Sequence, residues 1–286
     1  MRKNEWCELR KKRSNGDIFH DQHMNDIATT IMTTPILSFT RFLGTAPGQL
    51  LSQWELEHFQ KETEEAFGYE ALQLGLPELD TLCTNRIQRH WSIIDENDLL
   101  QPSDHKRVPV MADHRALPFA CDTFDLITMP HTLDLTREPQ QVLREAVRVL
   151  TPEGRLVITG FNTLGCWWWR QKAIALGAKP FLPSPLSPIA LMRLKDWFGL
   201  LGLQIDRSYW GLYRPACHSI KSLQHWQWMD KAGDRWMPGM ANLYMLSAVK
   251  RQPGPKLVGR LRSLMSSPSL GTNVANLGSQ KTPSES

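Results

Sequence analysis

From Ala112 to Asn162 the chain reads as a loop, a strand, a helix, a tight turn and a second strand, and this order constrains the fold more than any other feature. Phe124 to Met129 is an apolar run of strand length. Pro139 to Leu150 sets Val142, Leu143, Ala146, Val147 and Leu150 on one helical stripe, with Pro139 in the first turn and Gly154 past its end. Arg155 to Thr159 is a further apolar run, of the kind buried on both faces. Strands alternating with helices imply a mostly parallel sheet covered on both sides.

The flanks extend this pattern. Ala71 to Gly75, His90 to Asp95 and Val108 to Ala112 read as strands, with a short helix predicted between the first two. Pro109 weakens the third, since proline donates nothing to a ladder. Thr163 to Ala175 is predicted helical and carries Trp167, Trp168 and Trp169. A helix is predicted from Ser187 to Leu201. Leu203 to Ser208 and Asn242 to Lys250 read as the last two strands, with Trp226 to Trp236 between them. The order fits a doubly wound α/β sheet of seven strands, the last antiparallel. Such sheets bind ligands at the carboxyl ends of their strands, where the strand order reverses. Ahead of it, Gly48 to Phe67 places Leu51, Trp54, Leu56, Phe59 and Phe67 near helical spacing. Four regions follow: a polar, disordered extension at 1–33, a helical cover at 34–70, the α/β domain at 71–251, and a disordered Ser/Pro/Gly-rich basic tail at 252–286. Met24 and Met32 are alternative starts.

Composition removes several classes. Of 286 residues 41% are hydrophobic and 22% charged, as in an ordinary globular chain. No apolar run approaches membrane-spanning length, and no apolar segment follows the basic N-terminus, so a cytoplasmic protein is expected. Cys7, Cys83, Cys121, Cys166 and Cys217 are scattered, which argues against a zinc site or disulfide framework. The net charge of +4 is concentrated after residue 249, where six basic residues face Glu285 alone. A solvated tail and a nucleic-acid contact are the two readings of it.

Asp113-His114-Arg115-Ala116-Leu117-Pro118-Phe119, Phe124-Asp125-Leu126 and Pro152-Glu153-Gly154-Arg155-Leu156 resemble the second half of the type 11 branch of class I S-adenosylmethionine (SAM) methyltransferases. That half runs Asp–Ala–x–x–Leu–Pro–Phe, Phe–Asp–Leu, a helix, then Pro–Gly–Gly–x–Leu. The resemblance implies a Rossmann-like fold, SAM as cofactor and methyl transfer. It implies that Asp113 accepts a hydrogen bond from the adenine amino group and that the His114 main chain reads a ring nitrogen. It also implies that the main chain at Met129 and Pro130 passes the methionine part. Asp113 has a plainer reading, as a turn cap.

The first half departs from the family. Its loop after the first strand reads acid–x–Gly–x–Gly–x–Gly, whereas this chain has Gln73-Leu74-Gly75-Leu76-Pro77. Only Gly75 survives as a cofactor-binding candidate. Asp95 lies about twenty residues past it, the spacing expected of an acid on the ribose hydroxyls, or is part of a solvated acidic turn. His131 is the best-placed titratable group beyond the fourth strand, suited to positioning or deprotonating a nucleophile or else satisfied by local bonds. Asn162 is a further candidate for orienting a nucleophile. The dispersed histidines indicate no metal site. Two functions compete. One is a SAM-dependent methyltransferase with an unidentified small-molecule acceptor, which the tryptophans suggest is apolar or aromatic. The other is a catalytically silent methyltransferase fold serving as a binding or regulatory partner.

Overall fold

The computed structural model describes residues 35–94 and 107–251. The expectations for 1–33, Asp95 and 252–286 lie outside the described residues. Helices α1 (Pro35–Leu43) and α2 (Ala46–Glu64) come first. They are followed by β1 (Glu70–Leu74), β2 (Arg89–Ile94), β3 (Val108–Met111) and β4 (Phe124–Pro130). Then come α3 (Thr132–Leu135), α4 (Pro139–Val149), β5 (Leu150–Phe161), α5 (Cys166–Lys172), α6 (Leu191–Leu200) and β6 (Leu203–Gly211). The last elements are α7 (Ile220–His225), α8 (Trp228–Trp236) and β7 (Leu243–Lys250).

The seven strands form one sheet in the order β3-β2-β1-β4-β5-β7-β6. All pairs from β3 to β5 are parallel, and β7 runs antiparallel between β5 and β6. This is the doubly wound, mostly parallel α/β architecture that the resemblance implies. The central strands explain their own position. β4 and β7 are buried along nearly their whole length, whereas the short β3 is largely exposed, and Pro109 is tolerated there because β3 is an edge. α4 buries Val142, Leu143, Ala146 and Val147 against one face, each large apolar side chain contributing roughly 1.5–3 kcal/mol.

On the other face α2 packs through Leu51, Glu55, Phe59 and Glu62, a stripe that includes two fully buried glutamates. The Thr45 hydroxyl caps α2 by accepting from the Gly48 N–H at 3.3 Å. Gly48 is required at the α1–α2 corner, because a Cβ there would stand 1.9 Å from the Phe42 carbonyl oxygen.

Three local expectations are corrected. No helix joins β1 to β2: residues 76–84 form turns. The helix expected from Ser187 begins at Leu191, because the Ser187 N–H is taken by the Asp134 carbonyl at 2.8 Å and Ala190 stays extended. Phe67 lies past the end of α2 and is 77% exposed.

Candidate functional site

The strand order reverses between β1 and β4; Gly75 follows the carboxyl end of β1 and His131 that of β4, whereas Asp113 follows the edge strand β3. Gly75 follows β1 with φ +75°, a left-handed conformation that suits glycine. A Cβ on it would meet the Thr132 hydroxyl at 2.9 Å, and that hydroxyl donates to the Leu74 carbonyl at 2.6 Å. The end of β1 is thereby fastened to α3.

Gln73, in the position of the family's acid, is fully buried. Its amide N–H group donates to the carbonyls of Gly75, Leu76 and Leu79 at 3.3, 2.9 and 2.8 Å. Its Oε1 accepts from the Thr81 hydroxyl at 2.6 Å and from Arg107 at 2.5 Å. Arg107 also pairs with Asp80, and burial pulls its guanidinium pKa down to about 10. A carboxylate has no N–H to donate. The amide therefore satisfies the carbonyls that a helix after β1 would have bonded internally. Leu76, at φ +32°, is fully buried and packs into the apolar cluster of Phe39, Leu51, Leu79 and Phe161.

Asp113 lies past β3 with its carboxylate about half exposed. It accepts from the Arg115 main-chain N–H at 2.8 Å and from the Arg115 guanidinium at 2.7–3.0 Å. The Arg115 bonds hold its carboxyl below the usual carboxylate range. The turn-capping geometry is thus present, and the exposed oxygens retain acceptor capacity for a further donor. His114 is half-buried beside it. Met129 and Pro130 end β4 with buried side chains.

His131 is fully buried with φ +49°. Its Nδ1 lies 3.0 Å from Asp134 Oδ2, which also accepts the Phe161 N–H at 2.8 Å. Its Nε2 lies 3.0 Å from Glu55 Oε1. The rings of Phe39 and Phe161 flank it at 4.9 and 4.4 Å. Burial lowers the imidazole pKa, but the Glu55 charge and the Asp134 hydrogen bond outweigh it and raise the value to about 9. At neutral pH His131 is an imidazolium, suited to holding its neighbours and unsuited to accepting a proton. Sequence reasoning placed His131 and missed Glu55 and Asp134. The available signals were a glutamate interrupting the Leu51–Phe59 stripe and an acid three residues after the histidine.

Other candidates have structural partners. Asn162 donates to the carbonyls of Gly239 and Ala241, both at 2.8 Å, and so stitches the loop after β5 to the start of β7. Asp125 braces the amino end of β1 by accepting from Tyr69 N–H at 2.6 Å. Trp167 is buried, whereas Trp169 is 64% exposed, as the 100° fan of successive helical residues requires. Among the described residues no group of three or more His, Cys, Asp or Glu is arranged to hold a metal, and no helix is long and apolar enough to cross a membrane.

The fit to SAM divides in two. At the adenosine end an exposed carboxylate, Asp113, suits an amino donor. In the first loop the family's acid is absent, and Glu55, on α2, has both carboxylate oxygens without a donor.

Residues 94–158 match the family model described as a methyltransferase domain. The uncharacterized protein YafS of Escherichia coli K12 is 38% identical over 144 residues, covering 50% of this chain and 55% of that protein. The ubiquinone/menaquinone biosynthesis C-methyltransferase UbiE of Roseobacter denitrificans is 46% identical over 85 residues, covering 26% of this chain and 34% of that protein. The chain thus spans about half or less of the length of these curated relatives. Among solved structures, the complex of the Haloferax volcanii Trm112 methyltransferase activator with a putative methyltransferase aligns with a TM-score of 0.49 and 12% identity, over 69% of this chain and 89% of that one.

Proposed function

We propose that this chain, which resembles the type 11 branch of the class I methyltransferases and matches a methyltransferase-domain model over residues 94–158, transfers a methyl group from SAM to a small-molecule acceptor. The observation that carries the reading is the 3-2-1-4-5-7-6 sheet, with left-handed Gly75 beside the reversal of strand order and an exposed carboxylate, Asp113, after β3. In this reading Asp113 accepts from the adenine amino group and the His114 main chain reads the ring. Asp95 takes the ribose hydroxyls, and the main chain at Gly75, Met129 and Pro130 lines the remainder. When bound, the cofactor supplies an activated methyl group, so the protein's task is chiefly to align acceptor and methyl.

His131 serves as a positioning residue. Through Asp134 it fixes the Phe161 N–H at the end of β5, and through Glu55 it anchors α2 over the crevice. The partly exposed Trp168 and Trp169 suit an apolar or aromatic acceptor, and this is an inference from their chemistry.

A specific observation favours the alternative of a silent fold: Gln73 is committed to the loop and Leu76 fills the apolar space beside Gly75. Thermal unfolding with and without SAM separates the two readings. A binding protein held at about 100 times its Kd gains roughly 2.7 kcal/mol of stability. An unfolding temperature that SAM leaves unchanged at millimolar concentration removes the methyltransferase reading and leaves the silent fold.

A further inference from the structure

Glu55, His131 and Asp134 form a buried charged cluster that ordinary packing leaves unbalanced. None is more than 1% exposed. Glu55 Oε1 stands 3.0 Å from His131 Nε2, yet neither Glu55 oxygen receives a hydrogen bond of acceptable geometry, and Asp134 Oδ1 lacks a donor as well. Among the described residues no Lys or Arg pairs with either carboxylate. Tyr244, beside Asp134, is held neutral by burial. Two carboxylates share one imidazole in an enclosure walled by Phe39 and Phe161, and three of their four oxygens lack a donor. Buried carboxylate oxygens without donors are unfavourable in a low-dielectric interior unless a cation arrives.

The position of this charge is specific. Leu51, one helical turn before Glu55 on the same buried stripe, shares an apolar cluster with Leu76, the residue after Gly75. Thr132, next to His131, is bonded to the last carbonyl of β1. The cluster therefore lies at the junction of β1 and β4, beside a first loop whose acid position is Gln73, with its amide N–H groups bonded to loop carbonyls and its Oε1 to Thr81 and Arg107.

We propose that Glu55, delivered by α2 in place of the missing loop acid, is the anionic partner of the α-ammonium group at the methionine end of the cofactor, with His131 and Asp134 as positioning residues beneath it. This rests on the SAM-binding reading above. Leu76, fully buried in the apolar cluster beside this site, holds a left-handed conformation that is strained for a residue with a Cβ.

The test compares two adenosyl probes on the full chain. S-adenosylhomocysteine carries the α-ammonium, and 5′-methylthioadenosine lacks the whole amino-acid end. The wild type is expected to bind S-adenosylhomocysteine at least about tenfold more tightly. Glu55→Gln is expected to weaken S-adenosylhomocysteine about tenfold and to leave 5′-methylthioadenosine within about twofold. It is also expected not to lower the ligand-free unfolding temperature, because a balanced His131–Asp134 pair remains. An unchanged ratio of the two affinities in Glu55→Gln overturns the proposal, as does an equal weakening of both probes with a lowered unfolding temperature. Should Glu55→Gln fail to fold, the wild type decides: equal affinity for S-adenosylhomocysteine and its analogue lacking only the amino group overturns the assignment. If the wild type binds none of these probes, the SAM reading itself falls and this one with it. Binding of 5′-methylthioadenosine alone defeats only the role of Glu55.

Discussion

Two glutamates on one face of α2, two turns apart, are both fully buried and treated in opposite ways. Glu62 lies toward the amino ends of the strands. It meets Arg155 at 3.0 Å, Arg207 at 3.3 Å and the Tyr209 hydroxyl at 2.7 Å. Glu55 lies toward the carboxyl ends and, among the described residues, pairs with His131 alone, an imidazole it shares with Asp134. The same helix, sheet and residue type thus give a neutralised brace at one end and an electron-rich enclosure at the other. The brace needs nothing further. The enclosure is explicable if a cation visits it, and it stands where the sheet reverses order, the place such folds use for ligands.

The comparison breaks most visibly at His131. His131→Ala leaves Glu55 and Asp134 buried without a cation, and the expected loss is about 3–5 kcal/mol by urea denaturation. A loss under about 1 kcal/mol would mean that the cluster is neutral in the native protein. The pH dependence is the next largest effect. Because the folded-state pKa of His131 is raised to about 9, its contribution is fully present below the unfolded value near 6.5. That contribution is lost as pH rises through 9. Stability is expected to fall over this window by an amount on the order of 3 kcal/mol, and by less in Glu55→Gln, where the leading charge is gone. A stability profile flat from pH 6 to pH 10 would contradict the protonated cluster.

The contrast between the glutamates sharpens with the matched variant. Glu62→Gln removes the charge shared by two arginines and turns one acceptor oxygen into a donor, and is expected to lower stability by about 2 kcal/mol. Its counterpart at position 55 lowers it little or not at all. Equal losses at both positions would make the enclosure a second brace. The smallest effect on stability is expected at Asp113, whose carboxylate is about half exposed. Asp113→Asn should leave unfolding within about 0.5 kcal/mol of wild type. It should weaken S-adenosylhomocysteine roughly tenfold, as equilibrium dialysis would read.

Much of the architecture was legible because it rests on local periodicity. The stripe of Val142, Leu143, Ala146 and Val147 and the apolar runs of β4 and β5 specify a strand–helix–strand crossover before any contact is known. The turns after β1 were not legible. What replaces the expected helix is an amide, Gln73, bonding carbonyls up to six residues away, and no periodicity encodes that. The site divides in the same way. Asp113 and His131 stood out by their place after strands. Glu55 did not, because its partner is seventy-six residues distant and only the fold brings α2 over β4. The glutamate within the Leu51–Phe59 stripe was a readable anomaly whose meaning required the third dimension.

The central claim is that an adenosyl cofactor occupies the crevice at the carboxyl ends of β1 and β4, held at its adenine end by Asp113. Calorimetric titration of S-adenosylhomocysteine into the full chain and into Asp113→Asn tests it most directly. The account predicts one site per chain with a Kd below about 100 µM, weakened roughly tenfold by the substitution. The absence of binding heat at millimolar ligand, or an affinity indifferent to Asp113, would contradict it.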